Sequence, residues 1–213
     1  MSEQILTPER GGIDRALALL ERGQLVALPT ETVYGLGADA ENAEAVAAIF
    51  ALKSRPTFNP LIAHCHSADL AFAQGKTTPG ARLLAERFWP GPLTLVLDIS
   101  TECRVCSLAR AGLDTTALRV PAHPVMSEVL RQFGRPIVAP SANPSGQLSP
   151  TRAQHVATDF GDKIEFILDG GPCEAGVEST IVDARGETPV LLRQGPISTA
   201  DIEAVWPGIQ SDL

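Results

Sequence analysis

Seventeen prolines and eighteen glycines are spread along the whole of this 213-residue chain, and they limit the length of anything it can build. Proline removes a backbone donor and fixes φ, and glycine favours tight turns, so the chain is restricted to short elements joined by turns. These residues do not gather into one linker, and no internal repeat or low-complexity tract is present. The longest unbroken apolar run, Ala45 to Leu52, is eight residues, against the ~18 or more that a membrane-spanning helix needs.

Between the breakers two periodicities alternate. Ile13, Ala16, Leu17 and Leu20 recur at helical spacing, with Gly23 as a stop. Leu25–Leu28 reads as a short buried strand halted by Pro29, and Ala43, Val46, Ala47 and Phe50 mark a second helix that ends before Pro56. Leu61–Ala63, Leu93–Leu97, Ala117–Val120 and Ile137–Ala139 read as strands, interleaved with helices over Ala81–Phe88 and Val125–Phe133. Thr151–Phe160 is predicted helical, with Ser149 as N-cap and Pro150 in the first turn. After it, Ile164–Leu168, Thr180–Val182 and Val190–Leu192 follow one another as strands before a closing helix over Thr199–Val205. Alternation first and consecutive strands later predict one α/β domain with a mixed sheet.

Composition narrows the function classes. Hydrophobic residues make up 44% and charged ones 20%, as in an ordinary globular chain. Twenty-eight alanines inflate the first figure, so the core must come from Leu, Ile, Val and Phe. A net charge of −8 with this apolar content argues against disorder. It also argues against a dedicated nucleic-acid binder, so at most weak nucleic-acid binding is expected, and any anion site must be assembled locally from a few cations and backbone N–H groups. Four cysteines are too few for a disulfide framework. The opening Met1-Ser2-Glu3-Gln4 lacks the basic and apolar regions of a secretory leader. A soluble cytoplasmic chain with no membrane association is the expectation.

Polar segments cluster at the ends of the predicted strands, where open sheets place their sites. Pro29–Gly37 offers two hydroxyls, a carboxylate, a phenol and glycine-opened backbone, more hydrogen-bonding types than a plain turn needs. Lys53-Ser54-Arg55-Pro56 followed by Asn59 has two readings: cations that complement a helix dipole, or a phosphate clamp. Pro140-Ser141-Ala142-Asn143-Pro144-Ser145-Gly146, leading to Ser149-Pro150-Thr151, is either a solvated loop or an anion site before a helix N-terminus. Arg119, inside an apolar strand, requires a partner, either a protein carboxylate or a ligand anion. Glu178-Ser179-Thr180 and Leu192-Arg193-Gln194-Gly195 complete the set.

Several familiar motifs fail. Gly35-Leu36-Gly37 lacks the third glycine of a dinucleotide fold, and Gly75-Lys76-Thr77 has Leu70 where a P-loop needs glycine. Cys103-Arg104-Val105-Cys106 has zinc or redox spacing but no matching second pair.

Together the segments resemble the YrdC-like family. PTETVYGLG (29–37), KSRPTFNPL (53–61), WPGPLTLVL (89–97), GLDTTALRVP (112–121), PSAN (140–143), ESTIV (178–182) and LLRQGP (191–196) occur in that family's order. The likeness is to the catalytic domain of the long two-domain form. Only 17 residues follow Pro196, so the linker and second domain of that form are not expected in this chain. The resemblance implies an L-threonylcarbamoyladenylate synthase, a nucleotidyltransferase using L-threonine, bicarbonate or CO2, and ATP with Mg2+. Its product would pass to a tRNA threonylcarbamoyl transferase. It also implies a single YrdC-like catalytic domain over residues 1–213, core about 13–205, with a twisted mixed parallel and antiparallel sheet and flanking helices around a concave cavity. Lys53 and Arg55 would be catalytic and would hold the nucleotide with Asn59, Thr115, Ser141, Asn143, Ser149 and Arg193. Thr32, His64, Arg119, Ala139 (through its backbone) and Ser179 would hold threonine. The rival readings are an RNA-binding module and a YrdC-like domain that uses carbamoyl phosphate.

Overall fold

The structure, a computed structural model, describes residues 4–212, so Met1-Ser2-Glu3, read above for a leader, lies outside them. Eleven strands are present among the described residues: β1 (Ile5–Leu6), β2 (Val26–Leu28), β3 (Gly35–Asp39), β4 (Ile62–His64), β5 (Leu93–Asp98), β6 (Thr115–Arg119), β7 (Ile137–Val138), β8 (Phe166–Leu168), β9 (Thr180–Asp183), β10 (Val190–Arg193) and β11 (Gln210–Ser211). The helices are α1 (Gly12–Glu21), α2 (Ala43–Lys53), α3 (Ala68–Gln74), α4 (Pro79–Phe88), α5 (Pro124–Phe133), α6 (Ala153–Phe160) and α7 (Thr199–Val205). The strands form one sheet in the order β1-β8-β2-β3-β7-β4-β6-β5-β9-β10-β11. Its pairs mix parallel (β2/β8, β4/β6, β5/β9) with antiparallel (β2/β3, β4/β7, β5/β6), as the element order predicts.

Alternation along the strands divides the core between the two faces. Val26 and Leu28 of β2, with Phe166 and Leu168 of β8, meet Leu20 of α1 and Leu130 of α5 on one face. Ala27 and Ile167 point the other way, into the larger cluster with Ile49 of α2 and Val156 of α6. Helix starts are chemically marked. Asn42 accepts from the N–H groups of Glu44 and Ala45 at α2, Thr78 accepts from Ala81 N–H at α4, and Ser198 and Asp201 form a capping box at α7. No helix of the described residues is long and apolar enough to cross a membrane.

Two local expectations need correction. The helix expected from Thr151 begins at Ala153, and Ser149 does not cap it. The segment before α6 is instead tied to neighbouring chain: Tyr34 N–H donates to Pro150 O at 2.8 Å and Cys173 N–H to Thr151 O at 2.9 Å, and Arg152 is the extended N-cap residue. Ser149 Oγ is thereby free to donate to Glu178 Oε1 at 3.1 Å. The second correction is β3, which lies where the glycines of the Pro29–Gly37 segment suggest open loop. Those glycines serve close packing. A Cβ on Gly35 would sit 2.9 Å from Ala139 Cβ, and one on Gly37 2.8 Å from Leu28 Cδ1. The short β1, α3 and β11 carry too little periodicity to be legible and have no counterpart in the sequence reading.

Candidate active site

A cavity of about 240 Å³ opens where β4, β6, β9 and β10 meet the loops after β2 and β7. In the parallel register of β4 and β6, His64 lies opposite Arg119, so two buried polar side chains face one space at the strand ends. Thr32, Ala139, Ser179 and Arg193 line the same cavity. A second cavity of about 230 Å³ adjoins it, lined by Lys53, Asn143 and Ser149 among others. Arg55, Asn59, Ser141 and Glu178 belong to the walls of both.

Arg119 is 3% exposed, and the protein itself supplies its counterion. Nη2 donates to Glu31 Oε1 at 2.6 Å, Nη1 to Thr32 Oγ1 at 2.9 Å and Nε to Gly91 O at 3.2 Å. Of the two partners left open by sequence, the structure thus contains the carboxylate. Two N–H groups of the five on the fork remain for a ligand. The Pro29–Val33 turn is stiffened from within: Thr30 Oγ1 donates to Val33 O at 2.6 Å and lies 2.8 Å from Thr32 Oγ1.

His64 is fully enclosed, and burial, reinforced by the Arg119 charge, pushes its pKa down to about 3. The imidazole is therefore neutral across the physiological range. Its Nδ1 has no hydrogen-bond partner among the described residues. A buried polar atom of this kind is costly unless something pairs with it.

The cationic side of the site is built by turns. Ser54, at φ 51°, ends α2 in the left-handed region and redirects the chain so that Lys53 and Arg55 converge on the cavities. Arg55 Nε donates to Asn59 O at 3.3 Å and Nη2 to Pro60 O at 3.2 Å, which fixes its direction. Lys53 is 2% exposed, and its ammonium donates to the carbonyl oxygens of Ser141 and Asn143, tying the PSAN loop to α2. Burial, helped by the neighbouring Arg55, pulls its pKa from 10.5 down to about 8. Arg193 donates from Nε to Ser179 O at 2.9 Å, from Nη2 to Ser179 Oγ at 3.0 Å, and from Nη1 to Glu178 Oε2. Ser179 Oγ also lies 2.8 Å from Thr94 Oγ1.

Twelve of the thirteen residues named from sequence thus line one cavity or the other. Thr115 does not. It lies at the start of β6, on the same face as Ala117 and Arg119 but beyond the cavity rim. Two acidic residues, Glu31 and Glu178, were legible only as members of polar segments, and their pairing with Arg119 and Arg193 comes from the structure.

Gly195 is a positional requirement of this arrangement. A Cβ there would meet Thr180 N at 2.3 Å, Glu178 O at 2.5 Å and Ser179 C at 2.6 Å, all backbone atoms that cannot rotate away. Gly195→Ala is expected to cost about 1–3 kcal/mol of stability by forcing the two strands apart. Urea unfolding measures this, and a midpoint equal to wild type would contradict the close approach.

The shifted Lys53 sets a pH window. Its ammonium is charged below about 8 and progressively neutral above it, so polyanion affinity should fall as pH rises through about 8. The sign for stability is opposite. Between about 8 and 10.5 the unfolded chain holds the proton that the folded one has lost, so Lys53 adds stability as pH rises across that window. Pyrophosphate titrations at pH 7 and pH 9 test the first statement. Equal affinities at the two values would remove Lys53 from the anion site.

Comparisons with known proteins bear on the family and the fold. A family model named Sua5_yciO_yrdC, with the description Telomere recombination, matches residues 18–195. The threonylcarbamoyl-AMP synthase of Bacillus subtilis (strain 168) is 48% identical over 203 residues, covering 94% of this chain and 58% of that protein. The threonylcarbamoyl-AMP synthase of Vibrio vulnificus (strain YJ016) is 36% identical over 188 residues, covering 86% of this chain and 98% of that one. The crystal structure of P. abyssi Sua5 complexed with L-threonine matches with a TM-score of 0.91 at 47% identity, over 97% of this chain and 62% of that chain. The chain spans about three fifths of the Bacillus and P. abyssi proteins.

Proposed function

The chain belongs to the Sua5/YciO/YrdC family, and from that premise we propose that it forms threonylcarbamoyl-AMP and pyrophosphate from L-threonine, bicarbonate or CO2, and ATP. The observation that carries the reading is the junction of the two cavities. One is walled by the buried, hydrogen-bonding His64 and Arg119, the other by cations, and they join along Arg55, Asn59, Ser141 and Glu178. An amino acid in the first and a triphosphate in the second would meet at that boundary.

Threonine binds in the first cavity. The two unengaged N–H groups of Arg119 receive its carboxylate, and Thr32, Ser179 and the backbone of Ala139 complete the contacts. His64 faces the amino acid as a neutral imidazole, so it orients without titrating near neutrality. The deprotonated threonine nitrogen bonds to the carbon of CO2 and loses a proton to solvent, giving a carbamate. A carbamate oxygen then bonds to the α-phosphorus of ATP as the bond to pyrophosphate breaks. The step needs no enzyme nucleophile. Positioning and charge stabilisation by Lys53, Arg55 and Arg193 supply the acceleration, with Asn59, Ser141, Asn143 and Ser149 fixing the nucleotide and Thr115 near its outer end.

Mg2+ enters with ATP in this reading and is held by phosphate oxygens. Among the described residues no group of three or more His, Cys, Asp or Glu side chains could hold a metal ion, and Mg2+ in nucleotide sites keeps most of its ligands from phosphates and water, so no step is routed through a protein-held ion. Residues 1–213 act as one catalytic domain in the cytoplasm, and the product passes to a tRNA threonylcarbamoyl transferase. Binding of tRNA itself is weak at a net charge of −8. The test is pyrophosphate release from ATP by the purified chain. Release that requires both L-threonine and bicarbonate is the expected result, and release independent of threonine would overturn the reading.

A further inference from the structure

Glu178 is the acidic side chain shared by the walls of the two cavities, set among Lys53, Arg55 and Arg193. It is about a third exposed, and both its oxygens are engaged. Oε2 accepts from Arg193 Nη1, and Oε1 accepts from Ser149 Oγ at 3.1 Å. Its charge is also felt by the ammonium of Lys53 and the guanidinium of Arg55. Arg193 and Ser149 are two of the groups that the proposed function allots to the nucleotide. A carboxylate has the charge, planar spread and acceptor-only character that lets it take up phosphate donors.

We propose that Glu178 is an internal stand-in for a phosphate, holding Arg193 and Ser149 between turnovers, yielding them when the nucleotide enters and reclaiming them as pyrophosphate leaves. This rests on the proposed function and deepens it, because it identifies a residue that tunes how tightly the site holds polyphosphate. Two forces act in the same direction. The ligand must displace the carboxylate from its donors, and while bound it lies against a like charge. Glu178 therefore weakens substrate binding somewhat but speeds product departure. It is a positioning and competing residue, and no bond to it forms or breaks.

The experiment is calorimetric titration of the full chain with pyrophosphate, without Mg2+ and then with it. Glu178→Gln keeps the shape and loses the charge. It is expected to bind pyrophosphate about two- to fivefold tighter than wild type in both buffers, the size expected for a partly exposed charge pair. In turnover the variant should be inhibited by correspondingly less pyrophosphate. Glu178→Asp, one methylene shorter, should fall between the two proteins, and it decides the matter if the glutamine variant fails to fold. Unchanged or weaker binding without Mg2+ overturns the proposal. So does weakening seen only with Mg2+, which would assign the carboxylate to the ion. If wild type binds neither pyrophosphate nor ATP, the nucleotide site of the proposed function fails as well. If wild type binds and the variants bind no tighter, this inference alone fails.

Discussion

Lys53→Ala is expected to lower pyrophosphate release at least about 100-fold at saturating ATP, the scale of loss when a donor aimed at developing charge is removed. Two effects combine in that figure. The ammonium next to the second cavity disappears, and the PSAN loop loses its tie, since Lys53 Nζ donates to the carbonyls of both Ser141 and Asn143. Arg55→Ala separates them, because Arg55 bonds the carbonyls of Asn59 and Pro60 and not the PSAN loop. It should lose most of its activity with a near-normal unfolding midpoint, whereas Lys53→Ala should also melt earlier. Turnover near wild type in both variants would remove the cations from the chemistry and leave Lys53 as a structural strut.

The second large effect concerns Arg119. Arg119→Lys keeps the charge but cannot reproduce a planar fork that meets Gly91 O, Thr32 Oγ1 and Glu31 Oε1 and still presents N–H groups to the cavity. The threonine requirement should rise by about 10- to 100-fold, the worth of roughly 1.4–2.7 kcal/mol of charge-assisted hydrogen bonding, while the ATP requirement changes little. Arg119→Ala is a different experiment. It strands Glu31, one of whose oxygens already has no partner among the described residues, and should cost about 3–5 kcal/mol of stability. Steady-state kinetics on both substrates, with thermal unfolding alongside, separates the two. A rise confined to the ATP requirement in Arg119→Lys would move Arg119 to the nucleotide side.

Much of the fold was legible because its signals are local. Helical spacing marks α1 and α2 closely, and α7 runs Thr199–Val205 in both readings, its Ser198–Asp201 box lying in four consecutive residues. The misreadings arise where a tertiary demand overrides a local preference. Gly35 and Gly37 resemble loop glycines, yet they form a strand because Ala139 and Leu28 press against them. Ser149 has the chemistry of a cap, but neighbouring segments bond the carbonyls of Pro150 and Thr151 just after it and its hydroxyl turns to Glu178.

For the site the division is similar. Residue type and local order by themselves determined which segments carry chemistry, because a buried arginine in an apolar strand or paired cations beside a proline are costly unless used. They also carried the family likeness. Who pairs with whom was decided only by the folded chain. Glu31 reaches Arg119 across 88 residues of sequence, and Lys53 reaches the PSAN carbonyls across 88 and 90. Those meetings depend on strand order and register: β4 lying parallel to β6 sets His64 opposite Arg119, and β9 beside β5 sets Ser179 near Thr94. Hydrophobic periodicity tells a segment which face to bury but not which strand will be its neighbour. The counterion of Arg119, the neutrality of His64 and the carboxylate among the phosphate-binding cations therefore belong to the tertiary structure.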